Sequence, residues 1–251
     1  MGFPLTIQMK ITAISDIHGD LPKLEETDLL IIAGDWSPLE IQRDMAKMHR
    51  WIIDSFLPYL KNTPADKIVF IAGNHDFVCD DEYNFYDLLF QYKNSFKSSF
   101  IKTQLRKFGL EKKVKYLENS YTTYNKVKIY GCPYVYGCDG WAFANAQIRM
   151  SYEGIPRCDI LVTHQPPRYN GIATTELKYH GVRLKKDFGS VVLMDRILEI
   201  KPKLVFCGHI HAGDHTPQII THSDNTETKL YNCSLKNEEY NIVYKPQVVE
   251  M

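Results

Sequence analysis

The sequence lacks a net charge of either sign. Lysine and arginine together number 30, and so do aspartate and glutamate. A protein that binds long nucleic acid or an anionic membrane through electrostatic attraction needs an excess of basic residues. The balance therefore does not favour long nucleic acid or a membrane surface as the partner, and it directs attention to small ligands.

Long apolar runs are also missing. No stretch approaches the roughly 18 apolar residues that a membrane-spanning helix needs, and the N-terminus lacks the apolar core of a signal peptide. The six cysteines form no Cys-x-x-Cys pair and are scattered through apolar stretches. These features predict a protein of the reducing cytoplasm whose cysteines pack in the core.

The 251 residues contain no long linker and no internal repeat, so we expect residues 1–251 to form a single domain. Apolar, β-favouring runs predict strands at residues 9–15, 29–33, 68–72, 114–117, 127–130, 160–163, 204–206, 229–233 and 241–244. Apolar residues at helical spacing predict a helix over 39–60. A second helix is predicted to follow the aromatic-rich segment 83–100 and to stop at Gly109, where a left-handed cap fits. Two further helices are predicted near 142–152 and 190–200. The mixture indicates two packed sheets with helices outside them.

Polar side chains follow five of these strands at the point where each strand ends. They are Asp16 and His18, then Asp35, then Asn74 and His75, then His164, and finally His209 and His211. In α/β architectures the carboxyl ends of buried strands are where ligands collect. Neutral imidazole is a common ligand of zinc, iron and manganese.

Each position taken alone has a simpler explanation. An aspartate after a strand commonly caps a turn, and for Asp35 alone that would be the better interpretation. Gly73-Asn74 is an ordinary turn pair, and a lone His164 would more often be a satisfied loop histidine. However, five of the nine histidines fall at these strand ends, and turns do not require imidazole. The set as a whole predicts a metal site.

The motifs carry a resemblance to a known family. Asp16-x-His18, Gly34-Asp35, Gly73-Asn74-His75-Asp76, Thr163-His164 and Gly208-His209-x-His211 resemble, in this order, the five motifs of the calcineurin-like metallophosphoesterases. The stretch from Asp159 to Pro167 is similar to the metallophosphoesterase-domain (MPPED) branch and to the class III cyclic-nucleotide phosphodiesterases. The resemblance implies an α/β fold, a four-layer αββα sandwich of two mixed β-sheets flanked by helices, with a dinuclear metal site along one edge.

The resemblance also implies a role for each strand-end residue. One metal would be held by Asp16, His18, Asp35 and His211. The other would be held by Asp35, Asn74, His164 and His209. His75 would stand beside the metals as the phosphate-contacting or acid residue, and Asp76 is a further catalytic candidate.

The residue types agree with this assignment on chemical grounds. Two ions roughly 3.5–4 Å apart need a shared anionic ligand, which Asp35 can provide, and a water bridging them becomes hydroxide near neutral pH. Nitrogen and oxygen ligands without thiolate suit two divalent transition-metal ions, with manganese favoured and iron, zinc, cobalt, nickel or magnesium as alternatives. Cys79 and Cys207 lie near ligands in sequence, but we interpret both as core residues.

One motif departs from the family pattern. Many relatives carry Gly-Asp-x-x-Asp, whereas this chain reads Gly34-Asp35-Trp36-Ser37-Pro38. The missing second aspartate is usually not a direct ligand in that pattern, so the dinuclear site is retained. What changes is the support around the ligands, and with it the metal affinity.

Substrate contacts must come from loops as well as from Asn74 and His75. Tyr134 and Trp141 lie in an aromatic-rich stretch that either stacks a nucleobase or simply packs its own loop. Arg168 opens a basic loop that either grips additional phosphate groups or forms a solvated surface.

The sequence thus predicts a metal-dependent phosphodiesterase that acts on cyclic nucleotides or similar small diesters through a metal-bridging hydroxide. A phosphomonoesterase or nuclease of the same family is the alternative within enzymes. A non-catalytic scaffold with the same fold is the alternative outside them. The expected partner is a small phosphodiester or nucleotide, and the expected assembly is a monomer or homodimer.

Overall fold

The structure is a computed structural model that describes residues 8–81, 99–144, 148–179 and 182–251. The first seven residues and nearly all of the aromatic-rich segment 83–100 lie outside the described residues. The first part of the helix predicted near 142–152 is affected in the same way, because residues 145–147 are not described.

The first sheet has five strands. Their bounds are Lys10–Ile14 for β1, Thr27–Ala33 for β2, Ala65–Ile71 for β3, Val114–Tyr116 for β4 and Gln247–Glu250 for β13. They lie in the order β13-β1-β2-β3-β4. Strands β1 to β4 are parallel to one another, and β13 runs antiparallel to β1. The parallel register brings the carboxyl ends of β1, β2 and β3 to one edge of the sheet.

The second sheet has six strands. Their bounds are Ser120–Tyr124 for β5, Val127–Cys132 for β6, Ile160–Thr163 for β7, Leu204–Cys207 for β10, Gln218–Thr221 for β11 and Glu227–Asn232 for β12. They lie in the order β11-β12-β10-β7-β6-β5. The central strands β6, β7, β10 and β12 are parallel, and the edge strands β5 and β11 are antiparallel. Two further strands, Thr174–Tyr179 (β8) and Val182–Asp187 (β9), form a separate antiparallel pair.

Five α-helices are described. They are α1 (Met45–Trp51), α2 (Leu57–Asn62), α3 (Ser99–Lys107), α4 (Ile148–Glu153) and α5 (Val191–Ile200). A π-helical turn, Ile52–Phe56, joins α1 to α2. The predicted helix over 39–60 therefore begins later than expected, because the Asp44 side chain caps α1 by accepting a hydrogen bond from the Lys47 amide. Gly109 after α3 has a φ of +67°, which agrees with the predicted left-handed cap.

Alternating side chains on the strands build four layers. In β2, Leu29 and Ile31 belong to the apolar cluster between the two sheets, whereas Leu30 and Ile32 face a second cluster with α1, α2 and α3. On the far side, Leu161 of β7 packs with residues of α4 and α5 in a third cluster. The predicted four-layer αββα sandwich is confirmed.

The strand predicted over 241–244 is wrong. This stretch contributes only one isolated bridge, between Lys236 and Ile242, and the Ile242 and Val243 side chains are exposed. The apolar residues there have no sheet face to cover. Instead, the segment turns at Tyr240, whose φ is +61°.

Within the described residues, no helix combines the length and the apolar character that a membrane crossing requires.

Candidate metal centre

The carboxyl ends of β1, β2 and β3 meet those of β7 and β10 where the two sheets face each other. Two groups of carboxylate and imidazole side chains form there, each with its potential ligand atoms within 4.8 Å of one another. One group is Asp16, His18 and His211, and the other is Asp16, Asp35 and His164. All of these residues are buried. The fold thus brings together residues that the sequence analysis took from four separate motifs.

Asp35 occupies the centre of the cluster. Its Oδ2 lies 3.2 Å from His164 Nε2 and 3.9 Å from His18 Nε2. His211 Nε2 lies 3.3 Å from Asp16 Oδ1. Asp35 therefore reaches histidines from both predicted metal sites, as a bridging carboxylate would.

The two remaining predicted ligands lie next to His164. The side-chain oxygen of Asn74 is 3.1 Å from His164 Nε2. The ring of His209 is 5.1 Å from the ring of His164 between centroids, and its backbone amide donates to both carboxylate oxygens of Asp16. All seven predicted metal ligands therefore belong to one cluster.

Four of these residues have a left-handed backbone that non-glycine residues seldom adopt. The φ angles are +53° at Asp16, +42° at His18, +52° at Asp35 and +69° at His209. Such conformations cost of order 1–3 kcal/mol each and concentrate at functional sites. The strand ends are therefore bent to direct these side chains toward one point, at a cost in stability.

Glycines give the ligands room. A methyl group on Gly73 would lie 2.6 Å from ring atoms of His164 and would also overlap the Asp35 carboxylate. A methyl group on Gly208 would lie 2.6 Å from Ser15 Cβ and would overlap the Asp16 carboxylate. The glycine of each motif is thus required by the close approach of backbone to ligand side chains.

Hydrogen bonds to backbone carbonyl groups orient the imidazole rings of His164 and His211. His164 Nδ1 lies 2.8 Å from the Ala33 carbonyl oxygen, and His211 Nδ1 lies 2.9 Å from the Asn237 carbonyl oxygen. Each ring donates from Nδ1 to its carbonyl and presents Nε2 to the carboxylates. A second hydrogen bond that fixes the tautomer in this way is typical of metal-ligating histidines.

The ionisation of the cluster follows from burial and from its carboxylates. Burial lowers the pKa of His18 to about 4 and that of His209 to about 3, so both rings are neutral near pH 7. Burial also acts to lower the pKa of His164 and of His211. The carboxylate of Asp35 outweighs burial at His164, and that of Asp16 outweighs it at His211, so that the pKa of each histidine is raised to about 9. In turn, these histidines hold the pKa of Asp16 and Asp35 below the usual range although burial opposes it.

The residues present fit a metal pair. Both ring nitrogens of His18 are buried and have no hydrogen-bond partner among the residues that the structure describes. A buried polar atom without a partner is costly, and a cation between His18, Asp16 and Asp35 would satisfy the Nε2 of His18, which lies 3.9 Å from Asp35 Oδ2. The same cation would remove the need for His211 to carry a proton beside Asp16, and the second cation would do the same for His164 beside Asp35.

Asp76 connects two of the motif loops. Its Oδ2 accepts hydrogen bonds from the amides of Asp35 (2.8 Å) and Gly73 (2.7 Å), and its Oδ1 accepts from the amide (2.9 Å) and hydroxyl (2.6 Å) of Ser37. The carboxylate therefore holds the loop of Asp35 against the loop of His75. These contacts support a positioning role, and the catalytic role of Asp76 stays a prediction.

His75 lies beside the ligands. Its backbone amide donates to Asp35 Oδ1 at 2.8 Å, and its Nε2 is 3.9 Å from Asp35 Oδ2. Its Nδ1 lies 2.6 Å from the side-chain oxygen of Gln42. The ring is thus fixed at the edge of the cluster, with one nitrogen toward the ligands and one away from them.

The predicted substrate-contact residues are distributed unevenly around this cluster. The Trp141 ring packs 4.5 Å from the His75 ring, so it is in place to contact a ligand held there. Tyr134 packs edge-on against Phe143 at 5.8 Å. Arg168 is exposed and donates to the Asp187 carbonyl oxygen at 3.5 Å. Substrate roles for these residues stay predictions.

Several residues at the cluster carry no sequence signal. The Tyr240 ring contacts His18 at 5.0 Å and His211 at 5.3 Å, and Gln42 contacts His75 as described. Cys138 Sγ lies 3.7 Å from His209 Nε2. All three lie outside the five motifs, and only the folded chain brings them to the ligands.

Four of the six cysteines are buried, as predicted. All six cysteines are free thiols. Cys79 and Cys207 are fully buried, and Cys207 Sγ points to the Tyr231 carbonyl oxygen at 3.3 Å. Cys138 and Cys158 are only half-buried, so the expectation of core packing does not extend to them.

Comparison with known proteins agrees with this site. The family model for calcineurin-like phosphoesterases matches residues 9–213. The chain is similar to the human Metallophosphoesterase domain-containing protein 1, with 29% identity over 252 residues that cover 96% of this chain and 71% of that protein. The mouse protein of the same name matches to the same extent.

Solved structures share the fold. The protein TT1561 of Thermus thermophilus superposes with a TM-score of 0.53 at 13% identity, covering 96% of this chain and 98% of that one. The phosphopantetheinyl hydrolase PptH from Mycobacterium tuberculosis gives a TM-score of 0.53 at 14% identity, covering 96% of each chain. At such identities the likeness establishes the architecture alone.

Proposed function

This chain belongs to the calcineurin-like phosphoesterases, which hydrolyse phosphoesters with a dinuclear metal centre, and we propose that it is a phosphodiesterase for cyclic nucleotides or similar small diesters. The observation that carries the proposal is the complete ligand cluster centred on Asp35, buried except for the half-buried His209, with His75 and Trp141 packed together at its edge. A scaffold that had lost catalysis would have no need to keep every ligand and its strained backbone.

Two divalent cations would be held by the predicted sets. Asp16, His18, Asp35 and His211 supply one set, and Asp35, Asn74, His164 and His209 supply the other. When bound, the ions supply a hydroxide nucleophile near neutral pH and neutralise the charge that develops on the phosphoryl oxygens. The donors are nitrogen and oxygen, which suit manganese, iron, zinc or cobalt and also admit nickel or magnesium. We propose manganese as the first ion to test.

His75 would donate a proton to the leaving group. Its Nε2 faces the carboxylate edge, and the ring is half enclosed by Trp141 and Gln42. A group in this place contacts the substrate phosphate, and its Nε2 can give a proton to the departing oxygen. Asn74, on the adjacent backbone, would orient the same phosphate.

A diester suits the charges around the site better than a monoester. A monoester carries an additional negative charge, which normally requires further cationic side chains. Two arginines of the surrounding loops already have partners within the protein. Arg43 lies over the rings of Phe77 and Trp141, and Arg168 donates to a backbone carbonyl. The five motifs themselves supply no lysine or arginine ligand.

Trp141 is the reason for proposing a nucleotide as the substrate. The half-buried indole next to His75 offers an aromatic face beside the group proposed to protonate the leaving ribose oxygen, where the base of the same nucleotide would stack. A nucleobase stacked on an aromatic side chain contributes about 1–3 kcal/mol.

Kinetics on matched substrates test the proposal. The manganese-loaded protein should hydrolyse bis(4-nitrophenyl) phosphate faster than 4-nitrophenyl phosphate, and it should turn over 2′,3′- or 3′,5′-cyclic nucleotides. A clear preference for the monoester would overturn the diesterase assignment in favour of a phosphatase. Absence of turnover on every phosphoester, with metal bound, would instead favour the scaffold.

A further inference from the structure

The contact between Gln42 and His75 assigns a role to a residue outside every motif. Gln42 is half-buried in the turns that lead from β2 to α1, and its side-chain oxygen lies 2.6 Å from His75 Nδ1. We propose that Gln42 is the positioning residue for His75, fixing both the tautomer and the direction of the ring. This role rests on the proposed function, in which His75 acts on the leaving group.

The tautomer follows from the chemistry of the amide. The oxygen of Gln42 is an acceptor only, so the bond to it requires a proton on Nδ1 of His75. The other ring nitrogen, Nε2, is then the one that faces Asp35. The resting ring carries its one proton on Nδ1, so Nε2 first takes up a proton from solvent. As the phosphorus–oxygen bond breaks, its electron pair stays on the leaving oxygen, which takes that proton from Nε2. The ring is left neutral, with its remaining proton on Nδ1 and still bonded to Gln42.

The turn that carries Gln42 is held in place from both sides. The Ile41 amide donates to the Pro38 carbonyl oxygen at 3.3 Å, and the Asp44 amide donates to the Ile41 carbonyl oxygen at 2.8 Å. Arg43 lies 4.2 Å above the Phe77 ring and donates to the Gly140 carbonyl oxygen at 3.4 Å. Gln42 is therefore presented to His75 by a short, anchored segment and has little freedom to move away.

The same segment places His75 and Trp141 relative to each other. Arg43 lies 5.1 Å from the Trp141 ring, which packs 4.5 Å from the His75 ring. Adjacent residues of one turn thus hold the imidazole and the indole. This juxtaposition explains how a turn without any metal ligand can control the geometry of the leaving-group side of the site.

Gln42 acts through geometry, because its amide is neutral. Other groups around His75 include the carboxylate of Asp35 and the rings of Trp141 at 4.5 Å, His18 at 4.7 Å and Tyr240 at 6.5 Å. The Asp35 carboxylate contacts Nε2, and Gln42 contacts Nδ1. Losing the amide therefore frees the ring to rotate and to change tautomer, and it leaves the metal ligands as they are.

The experiment compares Gln42→Leu with His75→Ala and with the double variant. Gln42→Leu keeps the approximate size of the side chain and removes the acceptor. Gln218→Leu, on the edge strand β11, is the matched control at another half-buried glutamine. Each variant is loaded with manganese, its metal content is measured, and kcat and KM are determined on 2′,3′-cyclic AMP and on bis(4-nitrophenyl) phosphate.

We expect Gln42→Leu to retain its metal and to lose about 10–100-fold in kcat on the cyclic nucleotide, the size of loss that follows removal of the partner orienting a metal-ligating histidine. Bis(4-nitrophenyl) phosphate should lose far less, because nitrophenolate departs without a proton. The double variant should be no slower than His75→Ala alone, since both changes remove one function. Equal losses on both substrates, or additive losses in the double variant, would overturn the proposal. A raised KM in the His75→Ala background would assign Gln42 to the substrate instead.

A second measurement does not depend on turnover. In zinc-loaded protein labelled with ¹⁵N at histidine, the His75 signal is identified by its absence from His75→Ala. It should report a neutral ring protonated at Nδ1, and Gln42→Leu should give a mixture of tautomers. A wild-type ring protonated at Nε2 would contradict the proposal. If no phosphoester is hydrolysed, the proposed function fails while this spectrum still decides the role of Gln42.

Discussion

His164 Nε2 lies 3.2 Å from Asp35 Oδ2, and this contact joins the carboxyl end of a strand in one sheet to that of a strand in the other. The two residues belong to motifs far apart in the chain. Their contact requires that the sheets pack face to face with β2 and β7 ending at the same edge. The metal centre is therefore a product of the sandwich as a whole, and each layer contributes to its geometry.

The first prediction separates metal binding from chemistry. Asp35→Ala should lose both ions, because Asp35 is within reach of His18 and His164 and is the proposed shared ligand. His75→Ala should keep its metal, while turnover falls by roughly 10²–10⁴-fold, the usual contribution of a positioned proton donor. Metal content by elemental analysis and kcat on a cyclic nucleotide measure the two effects. Loss of metal from His75→Ala as complete as from Asp35→Ala would show that His75 is a ligand.

The second prediction concerns Trp141. Trp141→Ala should weaken kcat/KM for a cyclic nucleotide by ~1–3 kcal/mol, because a stacked base loses its aromatic face. Bis(4-nitrophenyl) phosphate should be nearly unaffected. Trp141→Phe keeps an aromatic ring against His75 and serves as the control. Equal losses on the two substrates would remove the stacking role and would indicate that the indole supports His75 instead.

A third prediction concerns the pH dependence of stability. Burial raises the pKa of Glu118 from 4.5 to about 7, although the Tyr116 hydroxyl, which donates at 3.2 Å, acts in the opposite direction. In the unfolded chain Glu118 releases its proton at lower pH than in the folded chain. The contribution of Glu118 to the free energy of unfolding is therefore fully present below about pH 4.5, and it is lost as the pH rises to about 7.

Glu118→Gln removes this dependence while keeping an acceptor for Tyr116. Relative to the variant, the wild-type free energy of unfolding should fall by about 1–3 kcal/mol between about pH 5 and about pH 8. Urea unfolding of both proteins at the two pH values measures the difference. If the difference in free energy of unfolding between wild type and variant is the same at both pH values, Glu118 titrates alike in the folded and unfolded chains.

The sequence predicted the parts of the fold that apolar runs determine. Strands β1, β2, β3, β7 and β10 are buried on both faces, so each appears as a continuous apolar run that ends in a polar motif. The pair β8 and β9 was missed because its sequence is rich in lysine, arginine and threonine and resembles a loop. Residues 241–244 were taken as a strand for the opposite reason, since they are apolar without a sheet to join.

The ligands were predictable for the same reason, and the groups around them were not. Asp16 and His211 are recognisable because each closely follows a buried strand in a motif. Gln42 and Tyr240 sit in turns of ordinary composition, and their proximity to the histidines depends on how those turns pack. Without the Asp at the end of the family's second motif, nothing local in the sequence indicates that Gln42 would contact His75.

Metal content tests the central claim most directly. We predict about two transition-metal ions per chain in purified protein reconstituted with manganese, near-zero content in Asp35→Ala, and phosphoesterase activity that a chelator abolishes and manganese restores. Elemental analysis alongside the activity assay gives both numbers from one preparation. Protein that holds no metal after reconstitution, and that no divalent ion stimulates, would contradict the account.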